Sequence, residues 1–181
     1  ENNKKCIDGD ILLMDFGAEY ANYASDLTRT IPVNGRFTNR QKAVYNSVLH
    51  VMKEATKMLR PGTFIKDYNK EVGCIMESEL IKLGLLDMHD VKQQDSAKPL
   101  YKKYFMHGTS HFLGLDVHDV GRFESQISEG MLFTCEPGIY ILEEQLGIRL
   151  ENDILVTSDG PFDLMRNIPI EVEEIEELMN S

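Results

Sequence analysis

Long apolar runs are missing from this sequence. Its most hydrophobic stretches, such as residues 11–14 and 139–142, are far shorter than the roughly 20 residues a membrane helix needs. Basic residues are scarce: 19 Lys and Arg stand against 30 Asp and Glu, a net charge of −11. Nucleic acid and anionic membrane are therefore poor partners, since both are bound through basic patches that displace counterions. Cysteine is also sparse. Cys6, Cys74 and Cys135 are odd in number, far apart and form no CxxC, which argues against a disulfide framework or a thiolate zinc site. All three read as reduced and structural, and a cytoplasmic setting is expected. No basic segment followed by an apolar run marks a secretory signal.

What remains is an ordinary globular composition, 42% hydrophobic and 27% charged over 181 residues, enough for one domain with a core. Residues 11–17 form a short apolar run broken by Asp15, and residues 23–33 are rich in β-branched and aromatic side chains. Both read as strands, joined closely enough for a hairpin. A T-x-x-Q capping box at Thr38 and Gln41 then opens a helix that Pro61–Gly62 stops. A second helix is expected from Thr63 to Gly84, and residues 87–103 read as an irregular excursion. Residues 131–135, 138–142 and 147–157 read as three strands, residues 158–160 as a turn, and Pro169 as the opening of a terminal helix. This order is α+β rather than alternating β-α-β.

Chemistry is concentrated where strands carry carboxylates. If the first hairpin turns about Tyr20–Ala21, Asp15 and Asp26 oppose each other directly, with Cβ atoms about 5 Å apart. Glu136 and Glu151 have the odd spacing that permits the same opposition around Glu143–Glu144. Buried like charges need a cation or a shared proton. Oxygen-rich ligation suits hard divalent ions, with manganese more natural than a thiolate-seeking metal. Between the hairpins, MHGTSHFLGLDVHDVG carries His107, His111 and His118. His107 and His111 have the spacing of a helical zinc pair, but the intervening residues are poor helix formers and the HExxH glutamate is missing. Asp116 and Asp119 flank His118, where they could orient its ring. His50 and His89 stand alone and read as surface or satisfied side chains. Spacing by itself leaves a metal hydrolase and a chance cluster both open.

The ordered set DFGAEYANYASDLTRT, HGTSHFLGLDVHD, EPGIY and RLEND resembles the pita-bread metallopeptidases, specifically aminopeptidase P and its relative prolidase. The resemblance spans essentially the whole chain and implies an N-terminally truncated pita-bread fold, with residues 1–181 forming part of a catalytic domain. It implies two divalent metal ions, with Asp15 chelating one, Asp26 and Glu151 bridging both, and His111 and Glu136 completing the ligands of the second ion. A hydroxide between the ions would attack the peptide carbonyl. Glu136 would carry the proton to the departing proline nitrogen, His118 would stabilise the carbonyl oxygen, His107 would line the pocket, and Arg149 would orient carboxylates. The implied substrate is a peptide with proline second, cut at its N-terminal Xaa-Pro bond. Alternatives are an Xaa-Pro dipeptidase and a non-catalytic peptide-binding domain of the same fold; methionine aminopeptidase fits less well. The family has a further active-site histidine and a separate domain upstream of the point matching Glu1, so this stretch alone is expected to hold metal poorly and show little activity. The resemblance also leaves room for a homo-oligomer of the full-length protein.

Overall fold

The computed structural model describes residues 3–181; the polar start of the chain at residues 1–2 lies outside them. Strand β1 (Ile11–Phe16) pairs antiparallel with β4 (Leu27–Pro32), and the ribbon is carried to its turn by two short strands, β2 (Glu19–Tyr20) and β3 (Tyr23–Ala24). Its register differs from the expected one. Asp15 opposes Thr28, and Tyr20 opposes Tyr23, so the turn is at Ala21–Asn22. Both turn residues take positive φ, 51° and 69°, as a tight two-residue hairpin turn requires. Asparagine tolerates that conformation; the expected centre would have imposed it on the bulky Tyr20. The correction is two residues, an even number. Asp26 therefore stays on the Asp15 face of the ribbon, but diagonally placed rather than opposite.

Helix α1 (Asn39–Met58) begins at the expected cap. The Thr38 hydroxyl accepts from the Gln41 amide at 3.2 Å, and the Gln41 side chain accepts from the Thr38 amide at 2.8 Å. One face, including Val44, Val48, Val51, Met52 and Ala55, is buried in the core. Helix α2 (Ile65–Lys82) starts two residues later than expected and packs on α1. The stretch expected to be irregular holds a short helix, α3 (Met88–Gln93), capped by the Asp87 carboxylate, and a 3₁₀ turn over Leu100–Lys103. Its polar composition hid them: α3 buries none of its residues, so it has no apolar face to reveal a period.

The last third is one long ribbon with an interruption. Strand β5 (Leu132–Cys135) pairs with β8 (Asn152–Thr157), and β6 (Gly138–Ile141) pairs with β7 (Leu146–Arg149). The single strand expected over 147–157 is thus two, parted at Leu150–Glu151. Both ladders keep one register, and its continuation sets Glu136 across from Glu151, as the spacing requires. A further strand, β9 (Gly160–Asp163), pairs with β8, and α4 (Val172–Met179) closes the chain behind a capping box at Glu171 and Glu174. Helix α1 packs against β5, β6, β7 and β9. A β-bridge from Thr28 to Glu151 joins the two ribbons, and the Thr30 hydroxyl donates to the Arg149 carbonyl beside it at 2.9 Å.

Gly17 lies where the β1–β4 ladder gives way to its turn, and a Cβ there would stand 1.8 Å from the Ser25 carbonyl oxygen. Gly17→Ala is expected to destabilise the chain by about 1–3 kcal/mol, the usual range for overpacking. Urea unfolding of the variant checks this; an unchanged midpoint would refute the close approach.

Candidate metal centre

The interruption of the long ribbon is what makes the site. At Glu136 and Glu151 the main chain turns away from its own hairpin: the Glu136 amide donates to the Thr109 carbonyl at 2.8 Å, and the Glu151 amide to the Thr28 carbonyl at 3.1 Å. Each glutamate is thereby stitched to a different ligand-bearing segment, Glu136 to the histidine loop and Glu151 to strand β4. The His111 amide donates to the Thr134 hydroxyl at 3.2 Å, and its carbonyl accepts from the Thr134 amide, which fixes the loop beside β5.

All five expected ligands come together, four of them most closely. One ligand atom each from Asp26, His111 and Glu151 lie within 4.8 Å of one another. His111 Nε2 is 3.6 Å from Asp26 Oδ2 and 3.7 Å from Glu136 Oε1. Its Nδ1 faces the Phe112 carbonyl at 2.9 Å, leaving Nε2 to face the carboxylates. The fifth, Asp15, is more exposed, and its carboxylate is held by Arg149 Nη2. Arg149 also donates through Nε to the Thr28 hydroxyl at 3.1 Å, and Thr28 in turn donates to Glu151 Oε2 at 2.6 Å. The guanidinium therefore ties Asp15 to the hydroxyl that orients Glu151.

The electrostatics match this crowding. Burial, reinforced by the neighbouring carboxylates, pushes Glu151 up to about 8 and Glu136 up to about 7, and raises Asp26 as well. Arg149 opposes the shift of Glu136, and the Thr28 hydrogen bond opposes that of Glu151. Four carboxylates, with the His111 ring among them and the Arg149 guanidinium at their edge, form a site short of positive charge. Its donors are hard oxygens with one nitrogen, a set that fits divalent cations.

The other expected residues gather around this cluster. His107 has Nε2 2.9 Å from the Tyr140 hydroxyl and Nδ1 4.0 Å from Glu136 Oε2, and burial lowers its pKa. His118 stacks on His111, ring centroids 4.1 Å apart and planes 12° apart. Asp119 does not orient His118. Its carboxylate instead accepts from the Leu115 and Val120 amides and so shapes the loop. Cys135 is buried in the core, whereas Cys6 and Cys74 are exposed, which corrects the structural reading of those two. His50 and His89 are exposed, away from the cluster.

Sequence reasoning did not single out Thr28, Tyr140, Arg29 or Asp153. Arg29 is buried and donates to the carbonyls of Glu151 and Thr28, each at 2.9 Å. Asp153 is buried behind Asp26 and accepts from the Asp26 amide at 3.2 Å. The signal available was polarity inside β-rich runs: DLTRT and END each bury several polar residues where strands usually bury apolar ones.

Carboxylates clustered against one imidazole are the donor set of a divalent-metal centre, and comparison with known proteins agrees. Residues 1–158 match metallopeptidase family M24. The Xaa-Pro aminopeptidase of Escherichia coli K12 is 45% identical over 193 residues, covering 99% of this chain and 43% of the relative. Human Xaa-Pro aminopeptidase 3 is 36% identical over 98% of this chain and 37% of its own length. Among solved structures, Pseudomonas aeruginosa aminopeptidase PepP superimposes with a TM-score of 0.91 at 37% identity, covering 99% of this chain and 43% of that one. Zinc-substituted E. coli aminopeptidase P in complex with product gives 0.90 at 42% identity, over 99% and 43%. The chain belongs to metallopeptidase family M24 and has the pita-bread fold of these structures. It spans about four-tenths of the length of the relatives it matches. Among the described residues, no helix is long and apolar enough to cross a membrane.

Raised carboxyls bind a proton in the folded chain at pH values where the unfolded chain has already lost it. Stability from this source is full below about 4.5, the unfolded value, and is lost as pH rises through about 7 and 8. In chelator, the melting temperature is therefore expected to fall from pH 5 to pH 8, with a shallower fall in Glu151→Gln and in saturating divalent metal. Melting curves across that range check it, and a temperature that stays flat or rises would contradict the carboxylate cluster.

Proposed function

We propose that this chain carries the metal-binding and catalytic residues of a hydrolase that cleaves the N-terminal Xaa-Pro bond of peptides. The observation that carries the reading is the convergence of Asp26, His111 and Glu151 within 4.8 Å, with Glu136 against His111, in a chain whose relatives are Xaa-Pro aminopeptidases. Asp15, Asp26, His111, Glu136 and Glu151 would hold two divalent ions, and the oxygen-rich donor set favours manganese. Bound there, such ions supply charge that polarises the peptide carbonyl and acidifies water enough for attack at neutral pH.

The protein's own groups account for the rest. Glu136 is mostly buried, and burial, with Asp26 and Asp15 adding to it and Arg149 opposing, brings its carboxyl to about 7. A carboxylate beside the reacting atoms can accept the proton of the attacking water and deliver it to the proline nitrogen as the bond breaks. That nitrogen lacks an N–H until it is protonated, so leaving depends on the delivery. His118, braced by stacking on His111, offers a ring N–H to the carbonyl oxygen as negative charge develops. His107 is held by Tyr140 at Nε2 and by the Gly108 carbonyl at Nδ1, with Glu136 4.0 Å from that edge, which suits it to line the peptide's path. Arg149 keeps Asp15 and, through Thr28, Glu151 aimed at the site. The free cysteines support a cytoplasmic setting for this chemistry.

Manganese binding and hydrolysis of an Xaa-Pro-Yaa tripeptide, measured on this chain and on a form extended upstream to the relatives' length, test the reading. Cleavage of the tripeptide is expected, with an Xaa-Pro dipeptide cleaved much more slowly. Asp26→Ala and Glu151→Ala are each expected to lower kcat at least about 1,000-fold, as loss of an essential catalytic group does. If neither form binds metal or cleaves, the resemblance extends to the fold alone; if dipeptides are preferred, the activity is that of a dipeptidase.

A further inference from the structure

Two openings flank the carboxylate–histidine cluster, and they differ in charge. One is lined by Asp15, Glu19, Asp26 and Asp116 together with His118. The other is a groove of about 510 Å³ between α2 and the segment leading into the histidine loop, lined by Lys70, Gly73, Cys74, Lys102, Phe105 and His107 among others. Its one acidic lining residue, Glu77, already accepts a hydrogen bond from Gln94 at 2.6 Å. His107 connects the groove to the chemistry, since its ring stands 4.0 Å from Glu136.

Lys102 differs from an ordinary solvated lysine. Its Nζ donates to the His107 carbonyl at 3.1 Å, which anchors the ammonium at the end of the groove nearest the site. It also lies 5.2 Å from the Tyr101 ring centroid and 5.4 Å from that of Phe105. The Tyr101 wall is seated on Gly73, where a Cβ would come within 2.8 Å of its ring. Aromatic faces on one side and a carbonyl on another hold the ammonium in place, and one hydrogen bond leaves two of its three donors free.

We propose that this groove receives the part of the peptide beyond the scissile bond, and that Lys102 recognises the carboxylate at its C-terminal end. The proposal rests on the peptidase reading above. A short peptide has an ammonium at the end to be cut and a carboxylate at the other. Glu19 and Asp116, which hold no metal in that reading, keep the first opening acidic and suit the ammonium, while the lysine groove suits the carboxylate, so charge favours one direction for the peptide. A fixed ammonium next to His107 pairs with the carboxylate of a tripeptide; a longer peptide carries its carboxylate past it. Dependence on Lys102 therefore declines with peptide length.

The test compares Xaa-Pro-Leu as free acid and as C-terminal amide with the metal-loaded protein. The amide is expected to have a KM about tenfold higher with little change in kcat, the effect of losing one charge-assisted contact. Lys102→Met should bring the acid to the amide's KM, and Lys102→Arg should keep the difference. Calorimetry of Pro-Leu and its amide with the wild-type protein gives a second readout, with tighter binding of the acid expected. Equal KM for acid and amide, or a difference that survives in Lys102→Met, overturns the proposal while leaving the peptidase intact. If no peptide is cleaved but Pro-Leu still binds better than its amide through Lys102, the groove stands and the peptidase reading falls. If there is neither cleavage nor preference, both fall.

Discussion

Mutual repulsion among buried carboxylates is the constraint on which the rest of this structure depends. Glu151 is 2% exposed and Asp26 8%, and with Asp15 and Glu136 they share one small space. The chain holds the group on a strand and at breaks between paired strands, whose ladders fix the direction of the flanking main chain. The counterweights are few and specific. Arg149 neutralises Asp15 and steadies Thr28, Thr28 satisfies one oxygen of Glu151, and Arg29 grips the main chain of both Thr28 and Glu151 from the buried side. What they leave uncompensated is the affinity for cations.

The helices contribute rigidity rather than chemistry. Helix α1 presents one apolar face to the sheets and carries no ligand. Tyr45 on that face donates to the Ile170 carbonyl at 2.8 Å, joining the first helix to the segment that leads into the last. Tyr68 of α2, fully buried, reaches the Ser110 hydroxyl at 2.8 Å, within the histidine loop. The loop is therefore braced from the helical layer as well as from β5, which suits a segment that must hold one ligand and two further histidines in fixed relation.

Much of this was legible in the sequence, because the site sits on the elements that speak most clearly. The capping box at Thr38 and Gln41, the carboxylates interrupting apolar runs, and the odd spacing of Glu136 and Glu151 each reflect a local rule. The register of the first hairpin was not legible to better than two residues, since it turns on which pair tolerates positive φ, and Ala21 gives no hint of that. Helix α3 was hidden because nothing in it is buried. The division of residues 147–157 into two strands was hidden for a different reason: the break is imposed by Thr28, from a segment more than a hundred residues away. The same distance explains why Thr28 and Asp153 passed unnoticed. Their roles exist only once the two ribbons meet.

The two ladders of the long ribbon run in one register on either side of the ligand pair, with the turn at Leu142–Gln145 well beyond it. Glu136 and Glu151 are thus positioned by strands on both flanks and by Thr109 and Thr28 from outside, not by the geometry of the hairpin's end. Residues added or removed in matched numbers at that tip would lengthen or shorten the arm without transmitting a shift to the ligands. The tip is tied instead to Arg40 through Glu144 and to Lys103 through Glu143, contacts that lie apart from the ligands and can change while the site stays as it is.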